Sequence, residues 1–248
     1  MSFNFTVSPS FPAERISDWY IFNTWLQRSL SIPIHLELHD GFDAQRAAIE
    51  AGQVDLIHAN PFDASLLVRE KGFRAIAQPD GAPDEMVVVT ALSHPAQAIG
   101  DLQPGTRIAC ANDPCVNTIG RILLEPANLN ADNTLEQQRS TYIQVAKDVL
   151  RGQVDVGFMP VGAYRGLSSI VRRELKVLVT SDIQVIHHVF LIGRDLHSRA
   201  DDFVRILLSM HETEKGQDLL SALGATRWQP IQQEDVEFMI DIISTLTQ

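Results

Sequence analysis

One five-residue pattern occurs twice in this chain, as Gly52-Gln53-Val54-Asp55-Leu56 and as Gly152-Gln153-Val154-Asp155-Val156. Each copy follows an amphipathic helix pattern, over 42–51 in the first case and 141–151 in the second. A glycine at that point suits the left-handed position that ends a helix, and the apolar residues after it begin a short buried strand. The repeat therefore predicts the same helix, turn and strand unit in both halves of the chain.

A proline follows each predicted strand, at Pro61 and Pro160, where it suits the first turn of another helix. Helices between strands imply parallel pairing through right-handed crossovers. Two apolar runs, Met86–Leu92 after a turn-rich segment and Val185–Ile192, predict strands that lead the chain out of the first sheet and back. We expect an α/β fold of two lobes, with two parallel-rich sheets joined by two crossover strands. The expected lobes are residues 1–85 with 186–248, and residues 86–185.

The remaining pattern gives a coarse map of the elements. Three helices near the C-terminus, over 199–210, 214–223 and 233–246, are expected to pack on the first lobe. The other predicted elements are strand 3–8, helix 13–30, strand 34–38, helix 42–51, strand 54–58, helix 61–70, strand 73–77, strand 107–111, helix 117–126, helix 141–151, strand 154–158, helix 160–168 and strand 177–180.

The charge of the chain excludes two classes of partner. Its 248 residues carry 31 acidic and 20 basic side chains, a net charge of -11, and no run of Lys and Arg. Nucleic acids and anionic membranes need a local excess of basic residues, so neither is expected as a partner. The longest apolar runs are shorter than the ~20 residues of a membrane span, so no membrane insertion is expected. A small anion remains compatible, because backbone N–H groups at helix starts bind anions locally.

The first ten residues, MSFNFTVSPS, lack the basic and apolar regions of a secretory signal peptide. We therefore expect a cytoplasmic protein if the chain is as it stands, and a periplasmic one if a leader has been removed.

The loops that follow strands are the expected place for a ligand, because ligands of open α/β sheets lie beyond the carboxyl ends of the strands. Their polar residues also suit a structural role, since Ser, Thr and Asn commonly cap helices. The candidate loops are 8–11, 39–42, 60–63, 112–118, 140–142 and 159–164.

The order of several short segments resembles one family of solute receptors. Ala51–Asp55, Pro61, Asp101-Leu102-Gln103-Pro104-Gly105, Asn112-Asp113-Pro114 and Gly152–Asp155 follow each other as in the phosphate/phosphite/phosphonate-binding proteins of ABC importers. The ending is similar as well, with Leu219-Leu220, Gly224, Trp228-Gln229-Pro230-Ile231 and Asp235. The resemblance covers nearly the whole chain. It implies the type 2 periplasmic-binding-protein fold, whose two lobes close on one small solute.

In that family, the loop after Asp-Pro supplies a hydroxyl-rich helix start that cradles a tetrahedral oxyanion. Here the loop reads Cys115-Val116-Asn117-Thr118-Ile119-Gly120, so a thiol and a valine replace part of the hydroxyl cluster. The resemblance implies that the ligand is a small oxyanion such as phosphate or a phosphonate. Because this loop differs from the family's loop, another small polar solute stays open as an alternative ligand. Aromatic residues such as Phe62 and Tyr164 suit the wall of a binding cleft and the hydrophobic core equally well. The expected ligand-binding residues are Ser10, Phe11, Asn60, Phe62, Cys115, Asn117, Thr118, Ser140, Thr141, Tyr142, Tyr164 and His187.

The histidines and cysteines do not form a metal-binding pattern. The sequence contains no HxH or CxxC spacing, and neither a metal nor another cofactor is expected. His58 ends a predicted strand, while His187 and His188 lie in the predicted returning strand, where they face opposite ways. We expect His58 or His187 to contact the ligand or to titrate near neutral pH.

The favoured function is a solute-binding protein that serves an ABC-importer permease or a sensor protein. No G-x-S-x-G, G-x-G-x-x-G or Walker motif is present, so no enzymatic activity is expected. Two alternatives stay open, because a fold does not decide a function. One is a cytosolic enzyme of the menaquinone-pathway or thiamine-pyrimidine type, with Cys115, His58 and His187 as its chemical groups. The other is a ligand-sensing regulatory domain.

Overall fold

A computed structural model describes residues 2–11, 15–81 and 84–246 of the chain. It divides into two compact units. The first unit comprises Met1–Ala82 and Val185–Thr245, and the second comprises Pro83–Gln184 and Leu246–Gln248. The predicted start of the first helix, at Ala13, lies outside the described residues.

The order of the helices and strands largely matches the map drawn from the sequence. In chain order they are β1 Phe3–Val7, α1 Ile16–Leu30, β2 Ile34–Leu36, α2 Phe42–Glu50, β3 Leu56–Ala59, α3 Pro61–Leu66, β4 Arg74–Pro79, β5 Met86–Ala91, β6 Arg107–Ala111, α4 Pro114–Leu124, β7 Leu135–Arg139, α5 Tyr142–Leu150, β8 Val156–Pro160, α6 Val161–Gly166, α7 Ser169–Arg173, β9 Leu175–Thr180, β10 Val189–Ile192, α8 Ala200–Ser209, α9 Glu214–Leu223, β11 Trp228–Gln229 and α10 Gln233–Leu246.

The first unit contains a six-stranded sheet in the order β11-β4-β10-β3-β1-β2. Strand β1 pairs in parallel with both β2 and β3, as the crossover helices require. Strand β10 returns from the second unit and lies antiparallel between β3 and β4. Strand β11 adds an antiparallel edge.

The second unit repeats this arrangement in a five-stranded sheet with the order β7-β6-β8-β5-β9. Strand β6 pairs in parallel with β7 and β8, and the incoming strand β5 lies antiparallel between β8 and β9. The predicted α/β class with two sheets and two crossover strands is confirmed. Both sheets are mixed, because each crossover strand enters from the other unit without a crossover helix.

Both faces of the first sheet are covered by helices. Leu56 and Phe190 belong to one buried cluster, while their neighbours Ile57 and Leu191 belong to another, because successive side chains of a strand point to opposite faces. Helices α8 and α9 contribute to the first cluster and α10 to the second. The C-terminal helices thus pack on the two faces of the first sheet.

The strand predictions differ from the structure at β7, at β11, which was not expected, and at the returning strand. Strand β7 was not expected, since its sequence Leu-Glu-Gln-Gln-Arg has no apolar alternation. It forms an edge strand with one neighbour, where polar side chains are tolerated and protect the edge. The returning strand begins at Val189 rather than Val185, and residues 185–188 form an irregular segment.

The repeated pattern has the same geometry in both units. Gly52 has φ 67° and Gly152 has φ 66°, and each ends a helix. The following aspartate then binds the start of the neighbouring parallel strand. The Asp55 carboxylate accepts a hydrogen bond from the Asn4 N–H at 2.7 Å, and the Asp155 carboxylate accepts one from the Arg107 N–H at 2.8 Å. The repeat thus sets the register of β1 against β3 and of β6 against β8.

Replacement of Gly52 or Gly152 by alanine is expected to lower the free energy of unfolding by about 1–2 kcal/mol, because a Cβ is disfavoured at this left-handed φ. At neither position would an added Cβ meet another atom within 4 Å, so the loss of stability measures the backbone strain alone. Urea denaturation measures it. Gly100→Ala is the matched control, since Gly100 has equal space and no positive φ, and an equal loss there would contradict the interpretation.

Candidate functional site

The first candidate cluster lies where the parallel strands β1 and β3 end. Ser8 follows β1 and Asn60 follows β3, and each is only 1% exposed. The Asn60 side-chain nitrogen donates to Ser8 Oγ at 2.9 Å and to Asp63 Oδ2 at 2.6 Å. The Asn60 Oδ1 accepts from the Asp63 N–H at 2.9 Å, which caps α3. Asn60 therefore both starts a helix and holds a buried hydroxyl group in place.

The Asp63 carboxylate, which accepts a hydrogen bond from Asn60, also forms an ion pair with Arg46. Asp63 is 0% exposed, and the Arg46 guanidinium on α2 donates to its Oδ1 at 2.9 Å. Arg46 lies 4.9 Å from the ring centroid of Phe62, in a cation–π contact. Since an unpaired charge is costly to bury, Arg46 compensates the carboxylate that orients Asn60. The structure thus places Phe62 against Arg46.

Two histidines complete the first cluster. The Ser10 Oγ lies 2.9 Å from His188 Nε2 and 3.3 Å from Ser8 Oγ. The His188 ring stacks on the His58 ring, with centroids 5.3 Å apart and an interplanar angle of 18°. Burial, and secondarily the neighbouring His188, hold the pKa of His58 well below its usual range. His58 is therefore neutral at neutral pH.

The second candidate cluster lies at the start of α4, after the parallel strand β6. The Asp113 carboxylate caps this helix by accepting from the N–H groups of Cys115 and Val116. Its Oδ2 accepts from the Tyr142 hydroxyl at 2.8 Å. Burial, followed by the charge of Asp113, raises the pKa of Tyr142 well above its usual value, so the phenol keeps its proton. The structure joins the loops after β6 and β7 through this bond.

Asn117 belongs to the same cluster and has one unmet hydrogen-bonding atom. It is 8% exposed, and its Nδ2 donates to the carbonyl oxygen of Ala111 at 2.8 Å. Its Oδ1 is buried and has no hydrogen-bond partner among the described residues. A buried acceptor without a partner is unfavourable, so this atom is suited to receive a donor from a bound molecule.

The structure brings some of the predicted residues together and uses others elsewhere. Ser10 and Asn60 share the first cluster, and Cys115, Asn117 and Tyr142 share the second. Thr141 caps α5, and Ser140 bonds the Gln144 side chain beside it. Thr118 faces a surface depression that it lines with Arg121, Ile122 and Glu125.

Other predicted residues pack against the cores or next to the clusters. Phe11 packs on the core of the first unit, and Tyr164 on that of the second. His187 is half-buried, and its neighbour His188 is the histidine that bonds Ser10. The sequence-based set did not include Ser8, Arg46 and Asp63 as ligand-binding positions, although Ser8 and Asp63 lie in the candidate loops.

The cysteines are both free, with Cys110 buried and Cys115 half-buried. Burial raises the pKa of the Cys110 thiol to about 11, which keeps it protonated and unreactive. Among the described residues, no group of three or more His, Cys, Asp or Glu side chains is placed to hold a metal ion. None of the helices in the described ranges has the length and apolar content to cross a bilayer.

The family model of the ABC-transporter phosphonate periplasmic substrate-binding proteins matches residues 5–236. The chain belongs to this family. The resemblance inferred from the order of the sequence segments is thereby confirmed. Membership in an ABC-transporter substrate-binding family implies a small-molecule ligand and a permease partner. No curated protein matches the chain significantly.

Solved structures of the phosphonate-binding family and of sulfonate receptors share the fold at low sequence identity. The PhnD1 protein of Prochlorococcus marinus, in complex with methylphosphonate, has a TM-score of 0.85 and 12% identity over 99% of this chain and 98% of its own. The binding protein of a phosphonate ABC transporter from Pseudomonas aeruginosa has a TM-score of 0.80 and 14% identity, over 98% and 86% of the two chains. The alkanesulfonate-binding protein SsuA of Xanthomonas axonopodis, bound to MOPS, has a TM-score of 0.68 and 13% identity, over 99% and 93%.

Proposed function

We propose that this protein is a solute receptor for a small oxyanion, and that each candidate cluster, taken by itself, offers hydrogen-bonding groups for such a ligand. The observation that carries the proposal is the pair of hydroxyl groups after β1, Ser8 and Ser10, which hydrogen bonds to Asn60 and His188 hold in place. Hydroxyl and amide groups of this kind bind an oxyanion without a competing positive charge. The arginine beside the cluster, Arg46, is paired with Asp63 and leaves the donor set neutral.

The second cluster supports a more specific ligand class. The Asn117 Oδ1 lacks a partner among the described residues, and the Tyr142 hydroxyl donates its hydrogen bond to Asp113. Both oxygens are therefore acceptors for a ligand atom that donates. A phosphonate keeps an acidic O–H as its monoanion, whereas a sulfonate has none. We propose a protonated oxyanion such as a small phosphonate monoanion as the preferred ligand.

The test is isothermal titration calorimetry with methylphosphonate and methanesulfonate at pH 6. Methylphosphonate is expected to bind at least about tenfold more tightly, because a sulfonate would leave buried acceptors unsatisfied at about 1–3 kcal/mol. Asn117→Ala is expected to narrow this preference, since it removes one acceptor. Equal affinity for both anions would contradict the ligand class, and no binding of either would contradict the function.

We further propose that the protein delivers its ligand to an ABC permease without changing it. Of the chemical groups of the enzyme alternative, the His58 ring stacks on His188 and packs against Trp19, which supports a structural role for it. Phosphorus NMR of methylphosphonate after prolonged incubation with the protein is expected to show the starting compound alone. A new resonance that Cys115→Ser abolishes would favour the enzyme.

A further inference from the structure

We propose that this protein associates with a second copy of itself through two complementary surfaces, a basic face on the second unit and an acidic face on helix α10. Each face combines exposed apolar side chains with charges of one sign. The inference is independent of the proposed ligand, because neither face contains a residue of the two candidate clusters.

The charges of the chain are divided unevenly between its two units. Of the 31 acidic and 20 basic side chains, 11 and 9 lie in the second unit, which leaves 20 and 11 in the first. The first unit therefore has a net charge of -9 and the second of -2. Three arginines of the second unit, Arg107, Arg121 and Arg139, pair with carboxylates of the same unit. The basic residues that remain there lie mostly on one surface.

One part of this surface is a row of side chains along α5, namely Ile143, Lys147 and Arg151. Residues four apart lie above one another on one side of a helix, and Arg151 directly follows the last turn of α5. Ile143 is 55% exposed, and Lys147 and Arg151 are exposed as well. The opposite side of α5 is buried, since Val145 and Val149 belong to the core cluster of the second unit.

The short helices α6 and α7 pack on the same core cluster as α5 and extend the basic surface. Arg165, Ile170 and Arg173 are exposed there, Ile170 to 77%. The Arg172 guanidinium donates to the carbonyl oxygen of Arg165 at 2.6 Å and so links the two helices. One exposed acidic residue, Glu174, follows Arg173. The basic face is defined as Ile143, Lys147, Arg151, Arg165, Ile170 and Arg173, and its four cations form no ion pair with any residue that the structure describes.

Helix α10 has the opposite charge around an exposed phenylalanine. Phe238 is 57% exposed, although the other side of the helix is buried in the first unit. Glu234, Asp235 and Asp241 lie three or four residues from Phe238, so they border it on the helix surface. Asp241 pairs with Arg69, whereas Glu234 and Asp235 have no ion pair within the described ranges. The acidic face is defined as Glu234, Asp235, Phe238 and Asp241.

The two faces match each other in charge and in apolar content. Charges of one sign repel the same face of another copy and attract the opposite face, which fixes the pairing. Exposed aromatic and aliphatic side chains bordered by charged groups are the usual composition of a protein interface. Anionic lipid offers the basic face no apolar side chain of this kind, and it repels the net charge of -11. The acidic face of a second copy is thus the occupant that fits best.

The contact joins different surfaces of the two copies and buries few residues, so it is expected to be weak and reversible. Sedimentation velocity of the ligand-free protein tests it. At about 0.02 M NaCl, the average mass of the wild type is expected to rise with protein concentration. At about 0.5 M NaCl, where the Debye length is only about 4 Å, the protein is expected to be monomeric.

Two charge-reversal variants test the two faces separately. Lys147→Glu/Arg151→Glu and Glu234→Lys/Asp235→Lys are each expected to remain monomeric at low salt. An equimolar mixture of the two is expected to associate, because each variant supplies the native face that the other lacks. Phe238→Ser should weaken association without a change of net charge.

The matched control is Arg28→Glu/Lys215→Glu, which changes the net charge as much as Lys147→Glu/Arg151→Glu at exposed positions outside both faces. It should associate more strongly than Lys147→Glu/Arg151→Glu. A wild type that stays monomeric at low salt would overturn the proposal, and so would association that both face variants retain. If the monomeric wild type bound polyglutamate or phosphatidylglycerol vesicles instead, the basic face would serve an acidic protein or a membrane, and the proposed self-association would be wrong.

Discussion

Asn60→Ala is expected to weaken methylphosphonate binding about a hundredfold and to lower the free energy of unfolding by about 1–3 kcal/mol. The Asn60 amide joins the Ser8 hydroxyl, the buried Asp63 carboxylate and the first turn of α3. Its removal leaves the Asp63 carboxylate short of a donor and allows the Ser8 hydroxyl to turn. Calorimetry measures the affinity, and urea denaturation measures the stability.

The control for Asn60→Ala is Thr213→Ala. Thr213 caps α9 by accepting from the Gly216 N–H, so its loss costs a similar helix cap. Stability should fall while affinity stays at the wild-type value. If Asn60→Ala binds methylphosphonate within about twofold of the wild type, the first cluster is not the binding site.

Gly120→Ala is expected to lower the free energy of unfolding by about 1–3 kcal/mol through overpacking. A Cβ at position 120 would lie 2.5 Å from Cδ2 of Phe158, which is completely buried and has no room to withdraw. Helix α4 would have to move away from β8. Because α4 also carries Asn117, the preference for methylphosphonate over methanesulfonate should decrease in the same variant.

Gly162→Ala is the matched control for the stability measurement. Gly162 lies in α6, and a Cβ added there would meet no atom within 4 Å, so an alanine should leave the stability unchanged or slightly higher. If Gly120→Ala unfolds at the same urea concentration as the wild type, the close contact between α4 and β8 is wrong.

The repeated turn pattern made the architecture predictable from sequence. The pattern acts over short distances. Its glycine ends a helix a few residues away, and its aspartate accepts a hydrogen bond from the start of one neighbouring strand. The antiparallel placement of β10 and β5 depends on pairing between strands that are distant in sequence. The expectation of parallel-rich sheets considered only the strands that are linked by helices. Strand β7 was missed because an edge strand needs little apolar surface.

The candidate clusters were only partly predictable. Asn60 and Tyr142 follow strands and were found by that rule. The choice of His187 over His188 assumed a regular strand from Val185, and the irregular segment before Val189 removes the alternation on which that choice depended. Arg46 lies within a helix, and no local pattern indicates that a helical arginine pairs with a buried aspartate beyond the next strand.

The most direct test of the central claim is a crystal structure of the protein with methylphosphonate. The proposed receptor predicts density for a bound phosphonate with an oxygen at hydrogen-bonding distance from the Ser8 or Ser10 hydroxyl. Density for the ligand at another place, or an unliganded protein at saturating methylphosphonate, would contradict it.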